Sequence, residues 1–257
     1  MCLLFFSYRM TPGYRLVVAA NRDEFLARPT ARLDYLNPEK TLLAGRDLQG
    51  GGTWLGITAD LRFAAITNYR NPAANRPEAP SRGEILMNYL TGTKEAASYV
   101  QALAKEGGKY NGCNVILGDA RELYFYSNIT GEIERLSPGF YGLSNHLLDS
   151  PWPKVVRGKE LLYPHMVATD HIQPQVLLQL LTDSRRPADE ELPATGVGPE
   201  WERLLSTIFI DGPGYGTRSS AVISVSDGGR IDFTEQTWSR SPDRTSSGAR
   251  VHLTLNE

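Results

Sequence analysis

The feature that most constrains this chain is a pair of short apolar runs between Thr53 and Tyr69, turning near Asp60. Leu55, Ile57, Phe63 and Ala65 occupy one set of alternate positions; Trp54, Ala64 and Ile66 occupy the other. Successive strand residues point to opposite faces, so a hairpin apolar on both faces is covered on both sides and belongs to an inner layer. A similar pattern opens the chain. Residues 2–8 read as a strand, Met10-Thr11-Pro12-Gly13 as a turn, and Tyr14 to Ala20 as a second strand.

Helical patterns follow. Ser81 to about Leu90 begins with Ser81 and Glu84 spaced as a capping box. Thr93 to Lys105 places Ala96, Val100 and Leu103 on one face. Strands are expected near 114–117, 123–127 and 133–136, helices over 154–162, 174–181 and 199–208, and strands again over 219–225, 230–237 and 250–255. Asn71 to Pro80, Asp183 to Pro199 and Ser239 to Gly248 read as loops. Strands, then helices, then strands indicate an α+β layered fold rather than a doubly wound parallel sheet. Gly50-Gly51-Gly52 precedes a strand and fits no phosphate-binding fingerprint.

The whole of 2–257 is expected to form one domain. With 41% hydrophobic and 22% charged residues, the 257-residue chain can build a sizeable core. A net charge of -2 gives no footprint for nucleic acid or an anionic membrane. No apolar run approaches the roughly 18 residues of a membrane span. The apolar start is short and lacks a basic flank, so a cytoplasmic location is expected. Two cysteines, Cys2 and Cys113, agree with a reducing compartment. His146, His165, His171 and His252 show no ligand spacing, so neither a metal nor another cofactor is expected.

Several residues could carry chemistry. With Met1 removed, Cys2 would hold a thiol and a free α-amine, whose pKa of about 7.7–8.0 suits it to accept the thiol proton; equally, Cys2 is a small apolar residue starting a strand. Asn21-Arg22-Asp23-Glu24 follows an apolar run, where Asp23 could accept a hydrogen bond from the amine or thiol, or simply sit in a charged loop. Asn68 and Asn145 end apolar stretches and offer amide donors for an oxyanion, or turn chemistry. Arg218 follows Gly212-Pro213-Gly214-Tyr215-Gly216, a loop able to deliver a cation to a pocket or to solvent.

In their order, Cys2, Asn21-Arg22-Asp23-Glu24, Gly51-Gly52-Thr53-Trp54-Leu55-Gly56, Thr67-Asn68-Tyr69-Arg70, Leu143-Ser144-Asn145 and Gly216-Thr217-Arg218-Ser219-Ser220 resemble the NRDE family, which includes the transport and Golgi organisation protein 2 group. The resemblance runs from residue 2 to at least Val225. It implies a four-layer αββα sandwich of two mainly antiparallel sheets, as in N-terminal-nucleophile hydrolases. The layout is most similar to cysteine amidases acting on conjugated bile acids, penicillin V and N-acyl amides. This implies Cys2 as nucleophile, Asp23 and Arg22 beside it (adjacent here, where those enzymes usually separate them), Asn68 in the oxyanion hole, Asn145 facing the acyl carbon and Arg218 near the nucleophile. Arg22, Trp54 and Tyr69 would contact a small-molecule substrate with an apolar acyl part, and Phe140 is a further apolar wall residue. The alternatives are a non-catalytic binder of a lipid, acyl-CoA or haem-like ligand in the same pocket, and a trafficking scaffold.

Overall fold

The computed structural model describes residues 2–241 and 244–256. Strand β1 (Cys2–Tyr8) turns into β2 (Tyr14–Phe25), antiparallel to it, with Cys2 opposite Arg22 and Tyr8 opposite Leu16. β1 sends Leu4, Phe6 and Tyr8 to one face and Leu3 and Phe5 to the other; β2 likewise divides Leu16, Val18 and Ala20 from Val17 and Ala19. All of these are buried, so this hairpin is covered on both sides.

Two sheets result. The first has the order β10 (Gly139–Leu143), β1, β2, β11 (Tyr215–Ser226), β12 (Ile231–Ser241) and β13 (Arg244–Leu255). The second runs in chain order through β3 (Thr30–Tyr35), β4 (Leu42–Asp47), β5 (Leu55–Thr58), β6 (Phe63–Asn68), β7 (Cys113–Gly118), β8 (Leu123–Ser127) and β9 (Ile133–Arg135). Every paired neighbour is antiparallel.

Three apolar cores define the layers. Between the sheets, Leu4, Phe6 and Val18 meet Leu55, Ile57, Phe63 and Ile116. Outside the second sheet, α1 (Gly83–Leu90) and α2 (Ala96–Glu106) set Ile85, Leu86, Tyr89, Val100 and Leu103 against Ala64, Ile66, Val115 and Leu117. Outside the first, α3 (Pro153–Met166) and α4 (Pro174–Leu180) set Val155, Leu162, Met166 and Leu177 against Leu3, Phe5, Val17 and Ala19. A short α5 (Pro199–Leu204) leads into the chain before β11. The fold is thus the expected α+β sandwich, with helices outside two packed sheets.

The structure departs from sequence expectation in particular places. β2 does not end at Ala20 but carries Asn21 to Phe25 as strand, because β11 pairs with it as far as Phe25 and β1 as far as Arg22. Strands β3, β4 and β10 were not expected; their short, mixed runs carry little period-2 signal. The capping box at Ser81 is not formed: α1 begins at Gly83 with no side-chain cap, and the Glu84 carboxylate instead accepts a hydrogen bond from the Tyr110 hydroxyl at 2.8 Å. α5 ends at Leu204, short of Ile208. Within the loop expected over 239–248, Ser239–Ser241 and the residues from Arg244 on are strand, and 242–243 lie outside the described residues.

Gly52 shows how closely one outer helix approaches the second sheet. A Cβ there would stand 2.3 Å from the Gly83 carbonyl carbon and 2.6 Å from its Cα, at the first residue of α1. Both obstacles are backbone, so no rotamer change relieves the clash. Gly52→Ala should therefore cost about 3 kcal/mol, the upper end of overpacking penalties, read as a lower urea midpoint. An unchanged midpoint would show that α1 shifts freely.

Candidate active site

Cys2 is half-buried at the open end of β1, beside Arg22 of β2. It lines a cavity of about 510 Å³ together with Asp23, Glu24, Arg28, Asp47, Trp54, Asn68 and Arg82. Burial pushes the Cys2 thiol above its ordinary pKa, and the neighbouring Arg22 offsets this only in part.

Asp23 stands across from Thr217 of β11, whose hydroxyl donates to Asp23 Oδ1 at 2.7 Å. The same hydroxyl oxygen accepts the Ile210 N–H at 2.9 Å, which fixes its orientation toward the carboxylate. Arg22 lies over Trp54, its guanidinium carbon 4.3 Å from a ring centroid. Its Nη2 also reaches Asp47 Oδ2 at 3.4 Å, an oxygen that accepts Arg28 Nε at 2.7 Å. Burial raises the Asp47 pKa, but the Gly50 N–H and Arg28 outweigh it and hold the carboxyl below the usual range. Trp54 keeps its place because residue 45 lacks a side chain: a Cβ on Gly45 would lie 2.4 Å from the indole.

Asn68 ends β6 opposite Cys113 and faces two cavities, the one beside Cys2 and an adjoining one of about 230 Å³. Asn145 is buried and does not line the Cys2 cavity. Its Nδ2 donates to the Asn68 carbonyl at 3.0 Å, and its own carbonyl accepts the Arg70 N–H at 2.8 Å, so it braces the backbone that carries Asn68. Arg218 sits at a β-bulge between Thr217 and Ser219. Its Nη1 donates to the carbonyls of Phe25 at 3.0 Å and Arg28 at 2.9 Å, and it is absent from the lining of the Cys2 cavity. Tyr69 lines the adjoining cavity and packs on His146, ring centroids 5.1 Å apart. Phe140 stacks edge-on with Tyr163 on the helix side, away from both cavities.

The structure therefore brings Cys2, Arg22, Asp23, Trp54 and Asn68 to one cavity and sets Asn145, Arg218 and Tyr69 around it. Sequence reading missed Arg28, Asp47 and Arg82 on the wall, since lone charged residues carry no spacing signal. It also missed a buried polar group behind the site: Arg70, Glu202, Lys154 and Tyr215. Arg70 was visible in Thr67-Asn68-Tyr69-Arg70 and Tyr215 in Gly212-Pro213-Gly214-Tyr215-Gly216; Glu202 and Lys154 come from separate elements and meet them only in the fold.

A four-layer αββα sandwich with a cysteine at the start of an inner strand and a cavity at that strand's end is the class of protein defined here. The chain belongs to the transport and Golgi organisation 2 family, whose model matches residues 1–240. It is 36% identical over 257 residues to the transport and Golgi organization protein 2 homolog of Homo sapiens, 34% over 256 residues to that of Mus musculus, and 32% over 266 residues to transport and Golgi organization protein 2 of Drosophila melanogaster; each match covers 92% of both chains. Among the described residues no helix is long and apolar enough to cross a membrane.

Proposed function

We propose that this chain is a cysteine amidohydrolase of the N-terminal-nucleophile kind, cleaving a non-peptide N-acyl amide through Cys2. The observation that carries the reading is the meeting of Cys2, Asp23 and Asn68 at one cavity. After removal of Met1, the α-amine of Cys2 takes the thiol proton, and Asp23 orients the resulting ammonium. The thiolate attacks the amide carbonyl carbon, and the Asn68 side-chain amide donates to the oxygen as it gains charge. The ammonium then protonates the leaving nitrogen, the C–N bond breaks, and an acyl thioester remains on Cys2. Water, deprotonated by the same amine, hydrolyses that thioester to a carboxylic acid and returns the thiol.

The walls suggest what the substrate carries. Arg22, Arg28 and Arg82 face the Cys2 cavity, which suits a polar, carboxylate- or carbonyl-bearing end. The adjoining cavity shares Glu24, Asn68 and Arg82 and adds the aromatic cluster of Phe25, Trp201 and Tyr215, which suits an apolar part. One feature favours a second reading, a non-catalytic binder of a lipid, acyl-CoA or haem-like ligand: burial pushes the Cys2 thiol above its ordinary pKa and so disfavours the thiolate.

Intact mass of the purified native protein, with iodoacetamide added to a second aliquot, separates the two. Loss of Met1 and rapid labelling that maps to Cys2 is the expected result, with turnover of N-acyl amides abolished in Cys2→Ala. Retained Met1 or an inert Cys2 would sink the hydrolase reading in favour of the binder.

A further inference from the structure

Lys154 lies in the first turn of α3, next to Val155, which packs on the helix-facing side of β1. Its Nζ is buried and has no hydrogen-bond partner among the described residues. The charges that act on it come from the start of β1 (Cys2), from β2 (Asp23), from the segment after β6 (Arg70) and from α5 (Glu202). Strand alternation explains the geometry. Cys2 and Arg22 share the parity of the inter-sheet residues Leu4 and Ala20, whereas Asp23 shares that of Asn21 and Ala19 on the helix side. Lys154 thus approaches the strand end from behind, on the face to which Asp23 belongs.

An unpartnered ammonium in such a place is costly, since nothing replaces its lost hydration. Burial, helped by Arg70, pushes the Lys154 amine down to about 7, against the pull of Asp23, Cys2 and Glu202. A buried group titrating near neutrality can gain or lose its charge with little outlay. The three negative groups that favour its charged form include the thiolate of Cys2.

We propose that Lys154 is a positioning residue whose amine supplies the counter-charge for ionised Cys2 and Asp23, an inference that rests on the nucleophile reading of Cys2. Proton balance is simple. The Cys2 thiol proton passes to the α-amine of the same residue, and Lys154 takes its own proton from solvent. The thiolate and the Asp23 carboxylate then stand with two ammonium groups, the α-amine and Lys154, so these four charges cancel. The step needs no direct contact between the two groups and no movement of the fold.

The test is the pH profile of Cys2 alkylation by iodoacetamide in the native, Met1-processed protein, quantified on the Cys2 peptide so that buried Cys113 does not contribute. In Lys154→Met and Lys154→Gln, the midpoint of the profile should rise by about one unit and the rate at pH 7.5 should fall about tenfold. Thermal melts supply a second readout. The folded-state pKa of Lys154 lies below its unfolded value of about 10.4, so the wild type gains stability as pH rises from about 7 to 10. Lys154→Met should therefore melt higher than wild type at pH 6.5, with the gap closing toward pH 10. Stabilisation together with a slower thiol is the expected pair of results. Normal labelling of the wild type with an unchanged profile in both variants would overturn this inference alone. No labelling of wild-type Cys2 at any pH would overturn the nucleophile reading and this inference with it.

Discussion

Asn21→Asp is expected to lower the free energy of unfolding at pH 7 by about 3–5 kcal/mol, roughly a 10 °C fall in Tm for a chain of this size. Asn21 is fully buried. Its Nδ2 donates to the carbonyls of Leu181 at 2.9 Å and Ile208 at 2.8 Å. Its Oδ1 accepts the Ser220 hydroxyl at 2.6 Å, and that oxygen in turn accepts the Trp238 indole N–H at 3.0 Å. One side chain thus ties β2 to the end of α4, to the segment before β11, and to β11 and β12. An aspartate has the same shape but offers no donors, so two buried carbonyls lose their partners at about 1–3 kcal/mol each. Its carboxylate would also face carbonyl oxygens, which should raise the pKa of that group in the folded state above the unfolded 3.9 or so. The sign follows: the unfolded variant then releases its proton at lower pH than the folded one, so the deficit grows as pH rises above about 4. Urea unfolding at pH 4.5 and 7.5 should show the larger loss at 7.5, whereas Asn21→Ala should show a loss with little pH dependence. Equal midpoints for wild type and Asn21→Asp at pH 7.5 would remove Asn21 from this anchoring role.

That expectation bears on what the sequence could reveal. The tetrapeptide Asn21-Arg22-Asp23-Glu24 was conspicuous as four polar residues after an apolar run, and on that pattern it reads as a strand end or a charged loop. In the fold it is interior strand. The polarity is tolerated because β11 pairs with it throughout and β1 as far as Arg22, and because its side chains alternate between two environments. Asn21 and Asp23 turn toward the helices, and Arg22 turns between the sheets. Residues whose partners lie more than 150 positions away, such as Leu181, Ile208 and Thr217, leave no local trace of the pairing. The inner strands, in contrast, were legible. Leu3 to Tyr8 and Phe63 to Ile66 are buried on both faces, and a continuous apolar run records that directly. β3, with Arg32 and Asp34 exposed, records little. The site divides along the same line. Cys2 and Asn68 stand at strand ends that patterning could locate, and Asp23 within the polar tetrapeptide it picked out, while Asp47 and Lys154 reach the site from elements chosen by packing.

Glu202→Gln should cost about 3 kcal/mol even though it changes only one atom. Glu202 Oε2 accepts Arg70 Nη1 at 2.8 Å, with the two side chains only 7% and 3% exposed. The other oxygen, Oε1, accepts both the N–H and the hydroxyl of Thr195, at 2.7 and 2.6 Å. The glutamine keeps an oxygen for Thr195 but turns an amine toward Arg70 Nη1, so donor meets donor and the guanidinium loses its counter-charge. Arg70 has little in reserve. Its Nε and Nη2 are already buried without hydrogen bonds, and burial holds its pKa below the ordinary arginine value despite Glu202. What remains is the face of Trp152, whose ring centroid is 4.7 Å from the guanidinium carbon. Removing the arginine instead should hurt less, because Arg70→Met leaves a neutral, flexible chain against the same indole. In the double variant Arg70→Met/Glu202→Gln, the uncompensated charge is gone, so its loss should fall well short of the two single losses combined, with a coupling of about 2 kcal/mol. Additive losses would mean that Arg70 is held by its neighbours and not by Glu202. The consequence reaches the candidate site through the backbone. Arg70 N–H donates to the Asn145 carbonyl, and Asn145 donates to the carbonyl of Asn68, so a displaced Arg70 loosens the brace behind the proposed oxyanion donor. Any amide hydrolysis should then fall in Glu202→Gln by a larger factor than the loss of folded protein accounts for, and recover in part in the double variant.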